Sequence, residues 1–405
     1  MKILVVSQFF WPENFRINDL AEELQHRGHE VTVLTGLPNY PKGHWFQGYG
    51  LKSCGYDHRN KIKVVRVPIF PRFSSKKWQL AINYLSFAFS ASFFGLFYCR
   101  DNYDVIFTYA PSPLTVGIPA VLMRWIKRAP MVFWVQDLWP EVFKAVEAPK
   151  SKFFFASVSL MMVWIYKRCD LVLVQSKDFV KHVVKAGAKE SKVYYFPNWA
   201  EELYRPIKTN KKTREYNEIP KDGFIAMFAG NIGAAQSLET IINAADKIKN
   251  HSIHWIILGD GRKRQWLEKE ISKRQLNKCF HILGHQPVET MPSYFSLADV
   301  LLVTLQPHPV MSAWIPGKVQ SYLASGKPII GALNGAGASV IRHSGAGFAV
   351  EAGDSDGLAE KVLILSQMDT KERELMGHAA LEFYKKFFHR KTLITRLEEY
   401  FYEIS

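Results

Sequence analysis

Residues 224–330 constrain this chain most, because they repeat one rhythm: an apolar run of strand length, a glycine turn, then helical periodicity. FIAMFAGNIG, WIILGDG, HILGH, ADVLLVTL and PGKVQSYLASGKPII follow one another with loop-sized gaps, and the runs 225–229, 255–258 and 300–305 each end at a turn signal. After Gly233 the residues Leu238, Ile241, Ile242, Ala245 and Ile248 recur along one helical face. Strands alternating with amphipathic helices make a doubly wound parallel sheet, which takes its ligands beyond the carboxyl ends of the strands. Those ends carry Gly230, Gly233, Gly259, Gly261 and Gly284, where backbone can approach a ligand closely. The segment has the pattern of a nucleotide-diphosphate cradle.

The first half repeats the plan. KILVVSQFF runs from a strand into a loop, and residues 18–27 continue as an amphipathic helix that stops at Gly28, as IAMFAGNIG opens the second half. The stretch 197–223 is polar, charged and broken by three prolines, which marks a linker. The expected class is α/β, with two Rossmann-like doubly wound domains facing across a cleft. The expected bounds are 1–199, a linker at 200–223, a second domain at 224–385, and a helix at 386–405 that packs back toward the first domain. At 405 residues and 48% hydrophobic content, two large cores are affordable in length and composition.

Charge is uneven. Residues 1–199 hold 26 basic against 14 acidic side chains, and 200–405 hold 26 against 23, so the first half carries +12 of the net +15. A basic, aromatic half suits nucleic acid, an anionic membrane surface or an anionic substrate. Here the basic residues flank apolar helices rather than a nucleic-acid module, which favours the membrane over nucleic acid. The uncharged stretch 80–99 has the length of a span, yet Asn83 and four serines or glycines dilute it between two apparent strands, 64–69 and 105–109. A buried crossover helix, an interfacial helix and a true span all remain open; 153–166 is too short to cross. Cys54, Cys99, Cys169 and Cys279 form no CxxC pair, so neither a zinc site nor a disulfide scaffold is expected, and the compartment is reducing. With a buried strand already expected at Lys2–Val6 and a turn after it, no signal peptide is expected.

SQFFWPENFRINDLAEEL, TGLPNYPKG, FWVQDLWPE, FPNW and IPGKVQSYLASGKPIIG, in that order, resemble the retaining GT-B glycosyltransferases of family 4 over nearly the whole length. Within that family the chain is most similar to the N-acetyl-L-fucosamine transferases of bacterial O-antigen and capsule assembly. The resemblance implies a UDP-sugar donor, no metal or other cofactor, a lipid-linked saccharide acceptor, and a peripheral position on the cytoplasmic face of the cell membrane. Two readings of other classes stay beside it: a sugar-nucleotide epimerase of the same fold, and a non-catalytic sugar-nucleotide-binding scaffold.

A leaving nucleoside diphosphate must be stabilised as an anion. The turn 230–233 can present amides, and the helix after it directs its positive end at phosphate. Lys318, on a helix start set by Pro316 and Gly317, is the side chain suited to neutralise the same group. Family members commonly carry Arg and Lys where this chain has Asn231 and Gln236, two glutamates where it has Ala313 and Ser321, and a histidine where it has Gln136. Those roles are therefore not transferred. Donor contacts are expected from Gly230, Asn231, Ile232, Gly233 and Gln236, from Gly259, Asp260 and Gly261, from His285, from Met311 and Ser312 in the loop 308–314, and from Gln320 or Ser321 at the ribose.

Acceptor contacts are expected from Glu13, Asn14 and Arg16 after the first strand and from Asn39, Tyr40 and Lys42 after the next. Arg72, Lys76 and Lys77 beside the apolar helix would meet lipid diphosphate and membrane. Asp137 and Glu141 follow the apolar run 131–135 and join Lys318 as candidate catalytic groups; helix capping is the plain alternative for Asp137.

Overall fold

Runs of Val, Ile, Leu and Phe settle as strands wherever both faces are covered, and the most central ones are fully buried: Ile3, Leu4, Val5 and Val6 expose nothing to solvent. The computed structural model describes residues 1–73, 77–112, 114–141, 151–210, 212 and 214–405. Two units divide the chain, Met1–Pro197 with Leu393–Ser405, and Asn198–Thr392.

The first unit holds β1 (Lys2–Val6), β2 (Glu30–Gly36), β3 (Gly55–Arg59), β4 (Ile62–Val67), β5 (Val105–Ala110), β6 (Met131–Val135), β7 (Leu171–Val174) and β8 (Val193–Tyr195). They form one sheet in the order β3-β4-β2-β1-β5-β6-β7-β8, parallel except for the β3/β4 pair. Register places Ile3 between Val31 and Val105. The strand order reverses direction at β1, which makes the carboxyl ends of β1 and β5 the switch point.

The second unit holds β9 (Phe224–Ala229), β10 (Ile253–Leu258), β11 (Phe280–Gly284), β12 (Val300–Thr304), β13 (Ile329–Ala332) and β14 (Gly347–Val350), all parallel in the order β11-β10-β9-β12-β13-β14. Period-two alternation along β9 feeds two cores. Ile225, Met227 and Ala229 join Val319, Tyr322 and Leu323 in one, whereas Phe224, Ala226 and Phe228 join Leu238, Ile241 and Ile242 in the other. Each fully buried large side chain of this kind contributes about 1.5–3 kcal/mol. Two parallel-sheet Rossmann-like domains are thus present.

Several local expectations shift. The helix expected from Asn18 begins at Arg16 and runs to His26, because Phe15 is already extended at its N-cap. After Gly233 the chain makes a 3-10 turn, Ala234–Gln236, and passes through Ser237 at φ 46° before the helix Leu238–Lys247 starts. The apolar stretch 80–99 is the helix Lys77–Tyr98, and it lies with one face on the sheet. Asn83, Phe87 and Ala91 on that face expose nothing, while Phe89 on the other is 76% exposed. The helices Lys77–Tyr98, Gly117–Lys127 and Lys152–Tyr166 pack side by side. The last helix, Arg390–Ile404, sends Leu393, Ile394, Leu397 and Phe401 into the core of the first unit, with Phe401 6.0 Å from Phe107 and Tyr400 4.9 Å from Tyr194. All four cysteines are free, and three are buried.

Candidate functional site

The turn after β9 stands at the second unit's switch point, beside the end of β12. Its amides alternate, as they would in a continuing strand. The Gly230 N–H donates to Leu258 O at 2.8 Å and the Ile232 N–H to Asp260 O at 2.8 Å, so these two extend the β9/β10 ladder. Among the described residues the amides of Asn231 and Gly233 make no hydrogen bond, and they are the ones left to meet a ligand. Ile232 also buries its side chain completely and accepts from Lys263 N at 3.0 Å, so it supports the turn rather than contacting a donor. The turn needs glycine for two reasons. A Cβ on Gly259 (φ 139°) would stand 1.9 Å from Gly230 O, and one on Gly230 (φ 146°) would stand 2.5 Å from Lys318 Cε.

Lys318 fills the space over Gly230. Its Nζ donates to Gln236 Oε1 at 2.5 Å and sits 3.6 Å from the centre of the Phe228 ring. No carboxylate pairs with it among the described residues, and burial pulls its pKa well below the usual lysine range. Gln236 is itself fixed, because Thr304 Oγ1 donates to its carbonyl at 2.5 Å. The Tyr322 hydroxyl receives the Ala229 N–H at 3.1 Å, tying the helix Gly317–Ala324 to the end of β9. An ammonium held by one neutral amide and one aromatic face is a preformed seat for an anion.

The other expected donor residues divide. Asp260 is exposed and caps its own turn, accepting from Gly261 N at 2.7 Å. His285 is exposed just past β11. Met311 and Ser312 lie on the short helix Pro309–Ser312, half-buried, and Ser312 O abuts Gly335 at the start of the helix Gly335–His343. Gln320 does not face a ligand: it is fully buried, and its amide nitrogen, oriented to donate, reaches Pro316 O at 2.8 Å and Gly317 O at 3.2 Å. Ser321 is buried too and bonds back to Gly317 O at 3.2 Å.

In the first unit, the loops beyond β1, β2, β4, β5 and β6 gather polar and aromatic groups. Two expected acceptor residues prove to be struts. Glu13 is buried, and its Oε1 accepts from the amides of Asn39 (2.8 Å) and Tyr40 (2.7 Å) while Oε2 accepts from Phe10 N (3.3 Å). Burial outweighs those donors and lifts its carboxyl to about 7. Asn39 is likewise buried, between Leu37 O at 3.0 Å and Asn83 at 3.3 Å. The strut presents Tyr40 outward, 41% exposed, against Phe9 (5.6 Å) and Phe15 (5.2 Å), with the Arg72 guanidinium 5.4 Å from its ring. Asn14 and Lys42 are exposed and Arg16 is half-buried. Lys76 and the side chain of Lys77 lie outside the described residues.

Asp137 is half-buried and its carboxyl makes no hydrogen bond among the described residues; burial raises it to about 7. Tyr84 feels the charges of Arg72 and Asp137, and Tyr109 those of Arg16 and Asp137, which draws these residues into one neighbourhood. Glu141 stands 3.9 Å from His182 Nδ1 instead. Sequence reasoning missed Tyr84, Arg66, Thr304 and Tyr322. Arg66 is the clearest: a buried arginine whose Nη2 donates to Trp11 O at 2.8 Å and whose Nε donates to Asp57 Oδ2 at 2.9 Å. A lone Arg inside a strand run was its only signal. Among the described residues no three His, Cys, Asp or Glu side chains cluster as metal ligands would.

Residues 14–199 match the family described as glycosyl transferase 4-like domain, and residues 209–383 match glycosyl transferases group 1. The chain is a group 1, family 4 glycosyltransferase. This glycosyltransferase is 27% identical over 341 residues to WcaI of Escherichia coli, a glycosyl transferase named for colanic acid biosynthesis, covering 80% of this chain and 82% of that one. Its fold is GT-B. Sucrose-phosphate synthase from Thermosynechococcus elongatus superposes with a TM-score of 0.75 at 15% identity, over 99% of this chain and 98% of that one. Anabaena HepE in complex with UDP superposes with a TM-score of 0.72 at 16% identity over 100% of both chains.

Proposed function

We propose that this glycosyltransferase moves an amino-deoxy sugar, N-acetyl-L-fucosamine, from its UDP derivative to a polyprenyl-diphosphate-linked saccharide at the cytoplasmic face of a membrane, with retention of anomeric configuration. The observation that carries the donor half is Lys318: a half-buried ammonium with no carboxylate partner among the described residues, bonded to Gln236 beside the amides of Asn231 and Gly233, which make no hydrogen bond there either. A diphosphate supplies the charge that this seat lacks. HepE, of the same fold, is described with UDP and with UDP-glucose, which is consistent with a UDP-linked donor. The name of WcaI supports a role in polysaccharide assembly.

In this reading the anomeric carbon–oxygen bond to the β-phosphate breaks with its electron pair on the phosphate. The acceptor oxygen bonds to the same face of the anomeric carbon, and its hydroxyl proton passes to a phosphate oxygen, so no enzyme nucleophile forms a covalent intermediate. Lys318 and the two amides stabilise the growing charge. Asp137 orients the acceptor hydroxyl as a carboxylate, so the rate rises with pH through about 7 in the native enzyme and is flat there in Asp137→Asn.

The test is release of nucleotide from a panel of UDP-, GDP- and dTDP-sugars, with membrane-derived acceptor and with a chelator present. Acceptor-dependent UDP release that the chelator leaves unchanged is the expected result. A sugar nucleotide altered without acceptor would mean an epimerase, binding without release a scaffold, and strong chelator inhibition a metal-dependent reaction.

A further inference from the structure

Half of the large hydrophobic residues that stand exposed among the described residues, 12 of 24, belong to three helices that pack side by side in the first unit. On Lys77–Tyr98 they are Trp78, Ile82, Leu85, Phe89, Phe93 and Leu96, at steps of three and four residues, and Phe97, four residues after Phe93. That spacing draws one stripe along the outer face. On Lys152–Tyr166 the most exposed are Phe153, at 87%, and Leu160, at 71%; Gly117–Lys127 adds Trp125. With side chains of about 150–250 Å² each roughly half exposed, the apolar surface is on the order of 1,000 Å², well above the few hundred that a soluble monomer shows.

We infer that this face docks the enzyme on an anionic lipid bilayer, lying in the plane of the interface rather than crossing it. The inference deepens the lipid-linked acceptor reading above and rests on it for its purpose, though not for its test. The inner face of Lys77–Tyr98 rules out a span. Asn83 is fully buried there, donating to Phe70 O at 2.7 Å and accepting from Gln8 Nε2 at 2.8 Å, and Phe87 and Ala91 are equally enclosed. Withdrawing the helix into hydrocarbon would strip those bonds and leave a hole over the sheet.

Charge selects the bilayer as occupant over a second copy of the chain. The three helices contain no Asp or Glu. Exposed Arg100, Arg128, Lys152 and Lys167 mark their ends. Two copies meeting through this face would set a basic rim against a basic rim, whereas anionic headgroups complement it. Aromatic residues in an apolar face with a basic border match the composition of interfacial helices.

The full chain, without donor or acceptor, is sedimented with vesicles of equimolar phosphatidylcholine and phosphatidylglycerol and with vesicles of phosphatidylcholine alone. Binding is expected to favour the anionic vesicles and to weaken at high salt. Two separate pairs, Phe89→Ser with Phe93→Ser and Phe153→Ser with Leu160→Ser, should each weaken binding by about tenfold or more. Both alter exposed positions, and unchanged circular dichroism in either pair keeps the result interpretable. Arg100→Glu with Arg128→Glu should abolish the preference for phosphatidylglycerol. Undiminished sedimentation in both serine pairs overturns the proposal, as does a vesicle-free dimer that the serine pairs convert to monomer. Failure here leaves acceptor-dependent UDP release by the native chain standing, so the two readings fall separately.

Discussion

Lys318 joins sequence and chemistry most directly. A half-buried cation with no counter-charge among the described residues is costly, and its depressed pKa reflects how poorly its surroundings and Gln236 compensate it. Binding of UDP returns a negative partner and favours the protonated amine. UDP affinity should therefore fall as pH rises past the free enzyme's lysine pKa, and calorimetry should detect proton uptake at such pH. Lys318→Met should bind UDP about 10–100-fold more weakly, the loss expected for one or two charge-assisted hydrogen bonds, and show no such pH trend. Equal affinity in the two proteins would remove Lys318 from the site. Glu13 makes the opposite kind of prediction. Its carboxyl is raised from an ordinary 4.5 to about 7, so the folded state holds a proton that the unfolded state has released in between. The stability it contributes is complete below about 4.5 and is lost as pH climbs to about 7, a change of roughly 3 kcal/mol. Denaturant unfolding of Glu13→Gln should lack that slope; an unchanged slope would assign it to other groups.

At the scale of elements, the helix Lys77–Tyr98 is fixed by polar residues on an apolar face, Asn83 with Ser86 and Ser90 beside it. Its composition passes for a span, yet Asn83 links it to the loops after β1 and β4 through Gln8 and Phe70 O. Asn83→Leu raises the apolarity of the helix while orphaning those partners. Stability should drop by about 1–3 kcal/mol despite the added hydrophobic volume, read as a shift in urea midpoint at constant slope. A more stable variant would show that the helix does not depend on this bond. The turn after β9 carries a related lesson. A run of amides at 230–233 suggests a continuous cradle, but the pleat assigns Gly230 and Ile232 to the neighbouring strand and leaves Asn231 and Gly233 for a ligand.

Across the whole molecule, the chain ends by completing the unit it began. Phe401 is fully buried beside Phe107 of β5, and Glu398 pairs with Arg27 at 2.7 Å and with His29 at 2.8 Å. Truncating that ring leaves a cavity, so Phe401→Ala should cost about 3–5 kcal/mol. Hydrogen exchange should quicken in β5 and β8 while β9 to β14 keep their protection, because the two units have separate cores. Uniform acceleration over both sheets would mean that the units unfold as one.

The alternation of strand, glycine turn and amphipathic helix was legible in the residues themselves, since period two, period 3.6 and the need for glycine at a left-handed turn are local properties. Those signals sufficed for two doubly wound sheets and for the position of the turn after β9, and the structure sets Lys318 beside that turn. Which neighbours each side chain would meet was not local. Lys318 finds Gln236 across 82 positions, Glu13 finds Tyr40 across 27, and Gln8 finds Asn83 across 75. Spacing carries no trace of such pairs, so Glu13 and Asn39 resembled ligand contacts until packing enclosed them, and the apolar helix left burial, interface and span open until the sheet took one of its faces. Tertiary structure decided these because burial and hydrogen bonding belong to the assembled surfaces, not to the segments that supply them.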